Sequence, residues 1–579
     1  MKKSLLLALG LGTVLAAGSC KKDILNENPQ SILTPTFLGT PQGVEAGLTG
    51  VYSGFRYIFG SDLYLFMTST GVDEFMRGIA TINGLDEYTP GLLTPASAGA
   101  ITSVWNNLYR YINDANGVLQ YAATVQGLSP ARVTQLVAET KLLRAQYYFV
   151  LVQQWGDVPL RLTFVDSPTK DIVRAPVADV YKAIVTDLTD ALGTIADKPA
   201  QPGRVTRATA LHLLAKVYLT RATSSAKQAD DYANAAKYAK ELLDNQARYG
   251  VALEADPARV HAEGNENGPE VLFNVQFNGD ATFSQTDPND FTANNASSFL
   301  FRSRYDLLPN MSRDIRNGRP FARFCPTPYV LNTFVLPGET GAQLRTTDTR
   351  YNKWWTTVYY VNNPGNNGGS TSAVVGDTAA WYPGRELSAA ALARIAARKP
   401  APYRVITPSQ YTTEYFPTMN KYDAVNRTGV NNPSPRPFIV YRLAETYLIA
   451  AEAYFYLGNS AQATTYLNVV RERAAAPGKK AQMDITASQV SLDFLLDERT
   501  RELAGEDTRW PDLVRTGQLL PRVKADVPPV MPRTNPSGTY GSAAAANIQP
   551  FDVLRPIPQA EVDRTLGQPG GGIKQNPGY

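Results

Sequence analysis

Leu443-Ala444-Glu445-Thr446-Tyr447-Leu448-Ile449-Ala450-Ala451-Glu452-Ala453-Tyr454-Phe455-Tyr456-Leu457 turns at Gly458-Asn459 and continues through residues 461–475. Reading this stretch decides the fold. A membrane-spanning helix needs roughly 18 or more residues nearly free of charge. The run from Phe438 to Leu457 carries Arg442, Glu445 and Glu452, so it is a soluble helix. Gly-Asn is turn chemistry, and the second arm returns along the first as a helical hairpin.

Working outward, residues 206–222 and 230–245 form another such pair around a short polar turn. Ala208, Ala215, Ala235, Ala236 and Ala239 let its backbones approach closely. The Ala-x-Ala-Tyr-Phe-x-x-Gly-Asn texture of the later pair resembles a tetratricopeptide hairpin. The pairs lie far apart in sequence, so no clean solenoid array is expected.

Toward the N-terminus, Thr40-Pro41 supplies a hydroxyl N-cap and a first-turn proline for a helix to about residue 59. Trp105, Leu108 and Ile112 keep helical spacing. Residues 139–155 place Leu142, Ala145, Phe149 and Val152 on one stripe, ended by Gly156-Asp157-Val158-Pro159. A further helix is expected over 178–192. Between 260 and 437 helical periodicity fades into Asn, Gly, Pro, Thr and aromatics, with strand-like pieces at 271–277 and 354–361. An insertion of that size is not structureless; it is expected to be an irregular subdomain covering the helical scaffold.

The N-terminus reads as a leader. Met1-Lys2-Lys3 precedes an apolar stretch from Leu5 to Gly18, then Ser19-Cys20-Lys21-Lys22-Asp23. This is a secretory signal whose cysteine follows small residues, a lipoprotein signal in which Cys20 becomes the lipidated first residue. The organisation expected is leader 1–19, tether 20–40, helical region 41–259, loop-rich ligand-facing subdomain 260–437, and helical region with tail 438–579.

Across 579 residues the net charge is +4, too mild to suggest nucleic acid. With Cys20 lipidated, Cys325 is alone and reads as a small apolar filler. Two histidines, His212 and His261, cannot build a His-rich metal site or spare one for a triad, and His212 lies in an apolar helix. No CxxC, HExxH, GxSxG or Walker glycine loop occurs. The pairs Asp73/Glu74, Glu263/Glu266 and Asp287/Asp290 could be nominated for glycoside hydrolysis, but among 52 acidic residues such neighbours arise by chance. Asp287, Asn289 and Asp290 hint at calcium without the rest of an EF-hand loop. No cofactor is expected.

These residues together resemble the SusD/RagB family of lipid-anchored nutrient-binding proteins. The likeness rests on Cys20-Lys21-Lys22-Asp23, the helix from Trp105 to Asn116, and Glu139-Thr140-Lys141-Leu142-Leu143-Arg144-Ala145-Gln146-Tyr147-Tyr148-Phe149 running on to Gly156-Asp157-Val158-Pro159-Leu160. It continues with Arg207-Ala208-Thr209-Ala210, Leu214-Ala215-Lys216-Val217-Tyr218-Leu219, Arg442-Leu443-Ala444-Glu445 and Ala451-Glu452-Ala453-Tyr454. The most specific part is Glu498-Arg499, Arg501-Glu502-Leu503 and Arg509-Trp510-Pro511-Asp512-Leu513-Val514-Arg515-Thr516-Gly517, followed by Pro556-Ile557-Pro558 and Gln575-Asn576-Pro577-Gly578-Tyr579. Pro511 stands where the family usually carries a large residue. The charges from Glu498 to Arg515 fall three and four apart, as framework pairs on a helix.

The resemblance implies a mainly α, SusD-like fold: tetratricopeptide-like hairpins under a loop-rich subdomain with a few short strands. It implies a non-catalytic outer-membrane lipoprotein, facing outward, that binds oligosaccharides, or in some members peptides, and delivers them to a SusC-like TonB-dependent transporter. A pyranose offers an apolar C–H face to Trp or Tyr and hydroxyls to polar edges. Trp354, Trp355, Tyr359, Tyr360, Trp381 and Tyr382 in the middle region, with Asp73 and Arg77 in the early loop, are the expected ligand contacts. Two other readings stay open: a tetratricopeptide-like scaffold lipoprotein for peptide or protein, and a surface hydrolase.

Overall fold

Thr40 Oγ1 accepts from the Gly43 amide at 3.0 Å, Pro41 takes the first turn, and helix α1 (Pro41–Ser53) begins there. It tightens into a 3₁₀ turn, Gly54–Tyr57, instead of running on to residue 59. Tyr111 and Tyr147 press on that turn; a Cβ at Gly54 would lie 2.3 Å from the Tyr111 ring. The computed structural model describes residues 35–579 except 83, 98, 168–171, 280–292, 400, 535–536 and 569–570. The leader, Cys20 and the cluster Asp287, Asn289 and Asp290 lie outside the described residues.

The other principal helices are α2 (Gly99–Ala122), α3 (Pro130–Trp155), α4 (Val177–Thr194), α5 (Arg207–Arg221) and α6 (Asp231–Asp244). After the middle region come α7 (Leu443–Tyr456), α8 (Ser460–Ala474), α9 (Leu492–Leu503) and α10 (Arg509–Arg515). Helix α3 starts nine residues before the apolar stripe suggests, because Ser129 caps it and Pro130 opens it; Leu136 alone is buried over its first eight residues, leaving no pattern to read. It stops at Gly156, whose φ of 72° suits glycine. Gly458 turns α7 into α8 in the same way, at φ 77°.

Each helix packs on the next: α2 on α3, α3 on α4, α4 on α5, α5 on α6, α6 on α7 and α7 on α8. The two hairpins that sequence keeps apart are therefore spatial neighbours. Ala235, Ala236 and Ala239 are buried, and Tyr232 of α6 stacks on Tyr456 of α7 at 4.6 Å. The helical stack is continuous because the middle region leaves and returns at one place. Strand β2 (Val271–Val275) departs, β9 (Phe438–Arg442) comes back, and the two pair antiparallel. Thr209 of α5 donates to the Leu272 carbonyl at 2.7 Å, fastening that ribbon to the stack.

The other strands are short. β1 (Phe75–Arg77) pairs with β3 (Phe324–Pro326), and β4 (Trp355–Thr356) with β8 (Thr418–Met419). β5 (Val358–Tyr360), β6 (Thr378–Trp381) and β7 (Arg404–Val405) make a three-stranded sheet. The fold is mainly α with a few short strands, as expected. One apolar cluster joins Phe55 and Trp105 of the scaffold to Trp354, Trp355 and Phe416 of the middle region, so both share a core. Cys325 is part of it, and burial pushes its thiol well up. His212 is buried too, with Nδ1 2.8 Å from Thr446 Oγ1.

The charges of the C-terminal signature pair mostly between elements. Only Arg501–Glu498 and Arg515–Asp512 close i,i+3 contacts among its described ion pairs. Arg350, from the middle region, reaches Glu498 (2.8 Å) and Glu502 (2.9 Å). Arg442, where β9 meets α7, reaches Glu270, Glu502 and Glu506 at 3.0, 2.6 and 2.6 Å. Arg473 of α8 also binds Glu270 and Glu502. Removing one partner of a buried pair strands the other's charge, a loss of about 3–5 kcal/mol. Glu502→Gln should show a loss of that order in urea unfolding, while Lys240→Ala, which breaks an exposed pair with Asp244, should leave the midpoint unchanged.

Two carboxyls respond to pH in opposite senses. Burial pushes Glu498 up, but Arg350, Arg471 and Arg501 outweigh it and hold the group at about 2. Its contribution is present above the unfolded value of about 4.3 and lost as pH falls toward the folded one. Burial pushes Asp507 up to about 7 against a hydrogen bond from Thr68, and its Oδ2 has no partner. That contribution is present in acid and lost as pH rises through about 7. Asp507→Asn keeps the size, and asparagine tolerates the residue's φ of 59°. The variant should unfold at higher urea than the parent at pH 8.5, and the advantage should shrink steadily toward the unfolded value of about 3.9.

Candidate functional site

The pleat of the β5–β6–β7 sheet sorts the expected aromatics. Val358 lies opposite Trp381, Tyr359 opposite Ala380, and Val405 joins Trp381 from the parallel strand. Paired residues share a face and successive residues alternate. Val358, Tyr360, Trp381 and Val405 therefore face outward, while Tyr359 faces the core. Tyr360 is 50% exposed and Trp381 half-buried. Arg404 of β7 lies over the Tyr415 ring at 4.6 Å, placing a guanidinium at the sheet margin. Nothing in the sequence around Arg404 and Val405 marks a strand: it is two residues long, and a partner distant in sequence defines it.

The other expected contacts are inside, which corrects their assignment to a ligand face. Tyr359 is 1% exposed, stacks on Tyr305 at 5.5 Å and shares a 2.8 Å hydrogen bond with Thr418 Oγ1. Tyr382 follows Trp381 on the pleat, points inward and packs on Tyr411. Trp354 ends a one-turn helix, Arg350–Trp354, with the Lys421 ammonium 4.1 Å from its ring centre. Trp355 stacks between Phe75 and Tyr351 at 6.2 and 6.1 Å. A ring enclosed on both faces offers none to a sugar.

Asp73 and Arg77 separate likewise. Asp73 is fully buried against Arg509, at 2.7 and 2.5 Å. Arg77 ends β1, remains partly exposed and pairs with Glu87 at 3.2 Å. It belongs to another sheet than Trp381, yet the two are linked underneath. Tyr382 packs on Tyr411, Tyr411 on Tyr540, and the Tyr540 hydroxyl donates to the Pro326 carbonyl in the strand paired with β1.

The nominated carboxylates among the described residues serve the frame. Burial, only partly offset by Arg509, pushes Glu74 up to about 7. Glu263 accepts from the amides of Val425 and Asn426 at 3.0 Å each, and Glu266 is held by Arg436 and the Gly264 amide. Among the described residues no group of three or more His, Cys, Asp or Glu side chains could hold a metal ion, and no helix is long and apolar enough to cross a membrane. The helix from Trp105 to Asn116 also forms one wall of a cleft of about 640 Å³.

Residues 269–579 match the model of the SusD family, and residues 23–219 match a family described as starch-binding and associating with the outer membrane. The first match spans more than half of the chain, and the chain belongs to the SusD family, a family of glycan-binding proteins. It is 24% identical over 509 residues to SusD-like protein P2 of Formosa agariphila, covering 85% of this chain and 87% of the relative. It is also 24% identical over 571 residues to SusD-like protein P25 of that organism, covering 95% and 94%. Similar solved structures include a laminarin-binding SusD-like protein (TM-score 0.65, 23% identity, 93% of this chain and 100% of that one). A SusD homologue from Bacteroides thetaiotaomicron superposes with TM-score 0.69 at 19% identity, covering 96% and 100%. At these identities the structures establish the shared fold.

Stability separates the two kinds of aromatic. Trp354→Ala or Trp355→Ala should lower the unfolding free energy by about 3–5 kcal/mol through the cavity left behind. Trp381→Ala, half-buried on the outward face, should cost clearly less than either.

Proposed function

We propose that this chain is a non-catalytic lipoprotein of the outer-membrane surface, anchored through Cys20, that binds oligosaccharides and passes them to a SusC-like TonB-dependent transporter. The observation that carries the reading is the outward strip of Tyr360 and Trp381 with Val358 and Val405 beside them. Flat rings on a rigid sheet stack on the apolar face of a pyranose. Family membership and the glycan-binding titles of structural neighbours, one for laminarin and one a surface glycan-binding protein from Bacteroides fluxus, support a saccharide ligand. The outer-membrane description of the second family match supports the location. The engagement of Asp73, Glu74, Glu263 and Glu266 in the frame supports binding without hydrolysis.

Calorimetry of the chain beginning after Cys20, against plant, algal, fungal and host glycans plus a peptide mixture, tests the reading. Saturable heat with one glycan class and no released reducing ends is expected. Trp381→Ala should weaken that binding about tenfold, in line with roughly 1–1.5 kcal/mol for an aromatic contact. Heat from peptides alone, or glycan binding indifferent to Trp381, would overturn it.

A further inference from the structure

We propose that the cleft between α2 and the C-terminal tail is a second binding site, for a sugar ring that carries an anionic group. The cleft holds about 640 Å³, within the usual range for a small-molecule site. Tyr109 of α2 and Ile172 on the far side line it as half-buried residues, with Trp105, Ile112 and Ile573 buried behind them. None of its lining belongs to the β5–β6–β7 sheet, so the proposal stands apart from the glycan face described above.

The walls are already fixed. Along α2, the Tyr109 hydroxyl donates to the Pro159 carbonyl at 2.9 Å. Asn113 exchanges two hydrogen bonds with the Val165 backbone, at 3.0 and 2.9 Å. Asn116 donates to the carbonyls of Arg161 and Thr163, and its oxygen accepts from Arg144, itself clamped on Asp187 by two 2.8 Å bonds. The opposite wall is tied by Arg174, which donates to the Lys574 carbonyl and to Asn576 Oδ1. A cleft stitched on both sides needs little ordering to bind.

Charge selects the ligand. Three guanidiniums line the cleft: Arg110, Arg161 and Arg564. Arg564 is engaged with Glu561 at 2.7 Å. Arg110 and Arg161 make no ion pair among the described residues, and Asp166 is the one lining carboxylate in the same condition. Arg110 lies over the Tyr111 ring at 5.4 Å, and two guanidiniums without an ion pair, set against one such carboxylate, leave a positive surplus beside apolar and aromatic walls. Guanidinium recognises carboxylate and sulfate by bidentate hydrogen bonds, and a pyranose bearing either group presents its C–H face to the ring side.

The test is calorimetry on the chain beginning after Cys20 with a uronate-bearing disaccharide, a sulfated disaccharide, their neutral counterpart and a short peptide with a free carboxylate. The expected result is saturable binding of at least one acidic sugar, weakened tenfold or more by Arg110→Ala or Arg161→Ala and unaffected by Trp381→Ala. The uronate and sulfate arms tell which anion is preferred. Both arginine side chains are absent from the bonds that hold the walls, so an unchanged thermal midpoint should accompany the loss. Equal binding of the neutral sugar, stronger binding of the peptide, indifference to both arginine substitutions, or no saturable heat would each overturn the proposal. Loss of acidic-sugar binding with the Trp381-dependent glycan intact would leave the proposed main function standing.

Discussion

The Arg442 guanidinium sits where β9 hands the chain to α7, and three carboxylates converge on it. Glu270 comes from the point where the middle region departs, Glu502 from the C-terminal helix α9, and Glu506 from the turn after it. One side chain thus ties the exit, the return and the C-terminal end of the fold. Arg350 and Arg473 repeat the arrangement from either side, and Lys421 reaches Glu506 at 2.6 Å. Buried charges are tolerated only when each finds an opposite charge and its remaining hydrogen-bonding capacity is used. That requirement admits few registers of the middle region on the helical stack.

The network also shapes the surface. Because Arg350 and Lys421 are drawn down to α9, the aromatics adjoining them go down as well. Trp354 lies under Lys421, and Trp355 packs against Phe75 and Tyr351. The proposed ligand face is left to the next strands out, where the pleat leaves Tyr360 exposed and Trp381 half-buried. The rings inside give those strands a rigid bed, so burial and display are two consequences of one docking.

The helical scaffold was legible in the sequence wherever apolar spacing and end signals coincide. Gly458-Asn459 turns between α7 and α8, Thr40-Pro41 opens α1, and Gly156 ends α3. The start of α3 escaped because the residues after Ser129-Pro130 are mostly not buried, and a helix without a buried face leaves no stripe. The contiguity of the two hairpins escaped for another reason: nothing local in α6 or α7 records that β2 and β9 bring them side by side. The aromatics of the middle region were recognisable as a group, yet composition cannot divide them. Trp381 and Tyr382 are adjacent and alike, and only the pairing of β6 sends one out and the other in. The cleft beside α2 was invisible for a similar reason, since residues of α2, the segment after α3 and the tail meet there only after folding.

The sequence by itself determined the class of the fold and the chemistry it lacks. Periodicity, caps and turn glycines are local, and the scarcity of histidine and of phosphate or metal motifs is a property of composition. Only the tertiary structure decided which polar and aromatic groups are consumed by the frame and which remain for a ligand. Asp73 and Arg77, four positions apart, show the reason. One carboxylate meets Arg509, distant in sequence, and is buried; one guanidinium meets Glu87 at the end of its strand and stays partly in solvent. Burial and partnership come from contacts between segments remote in sequence, and no local pattern encodes them.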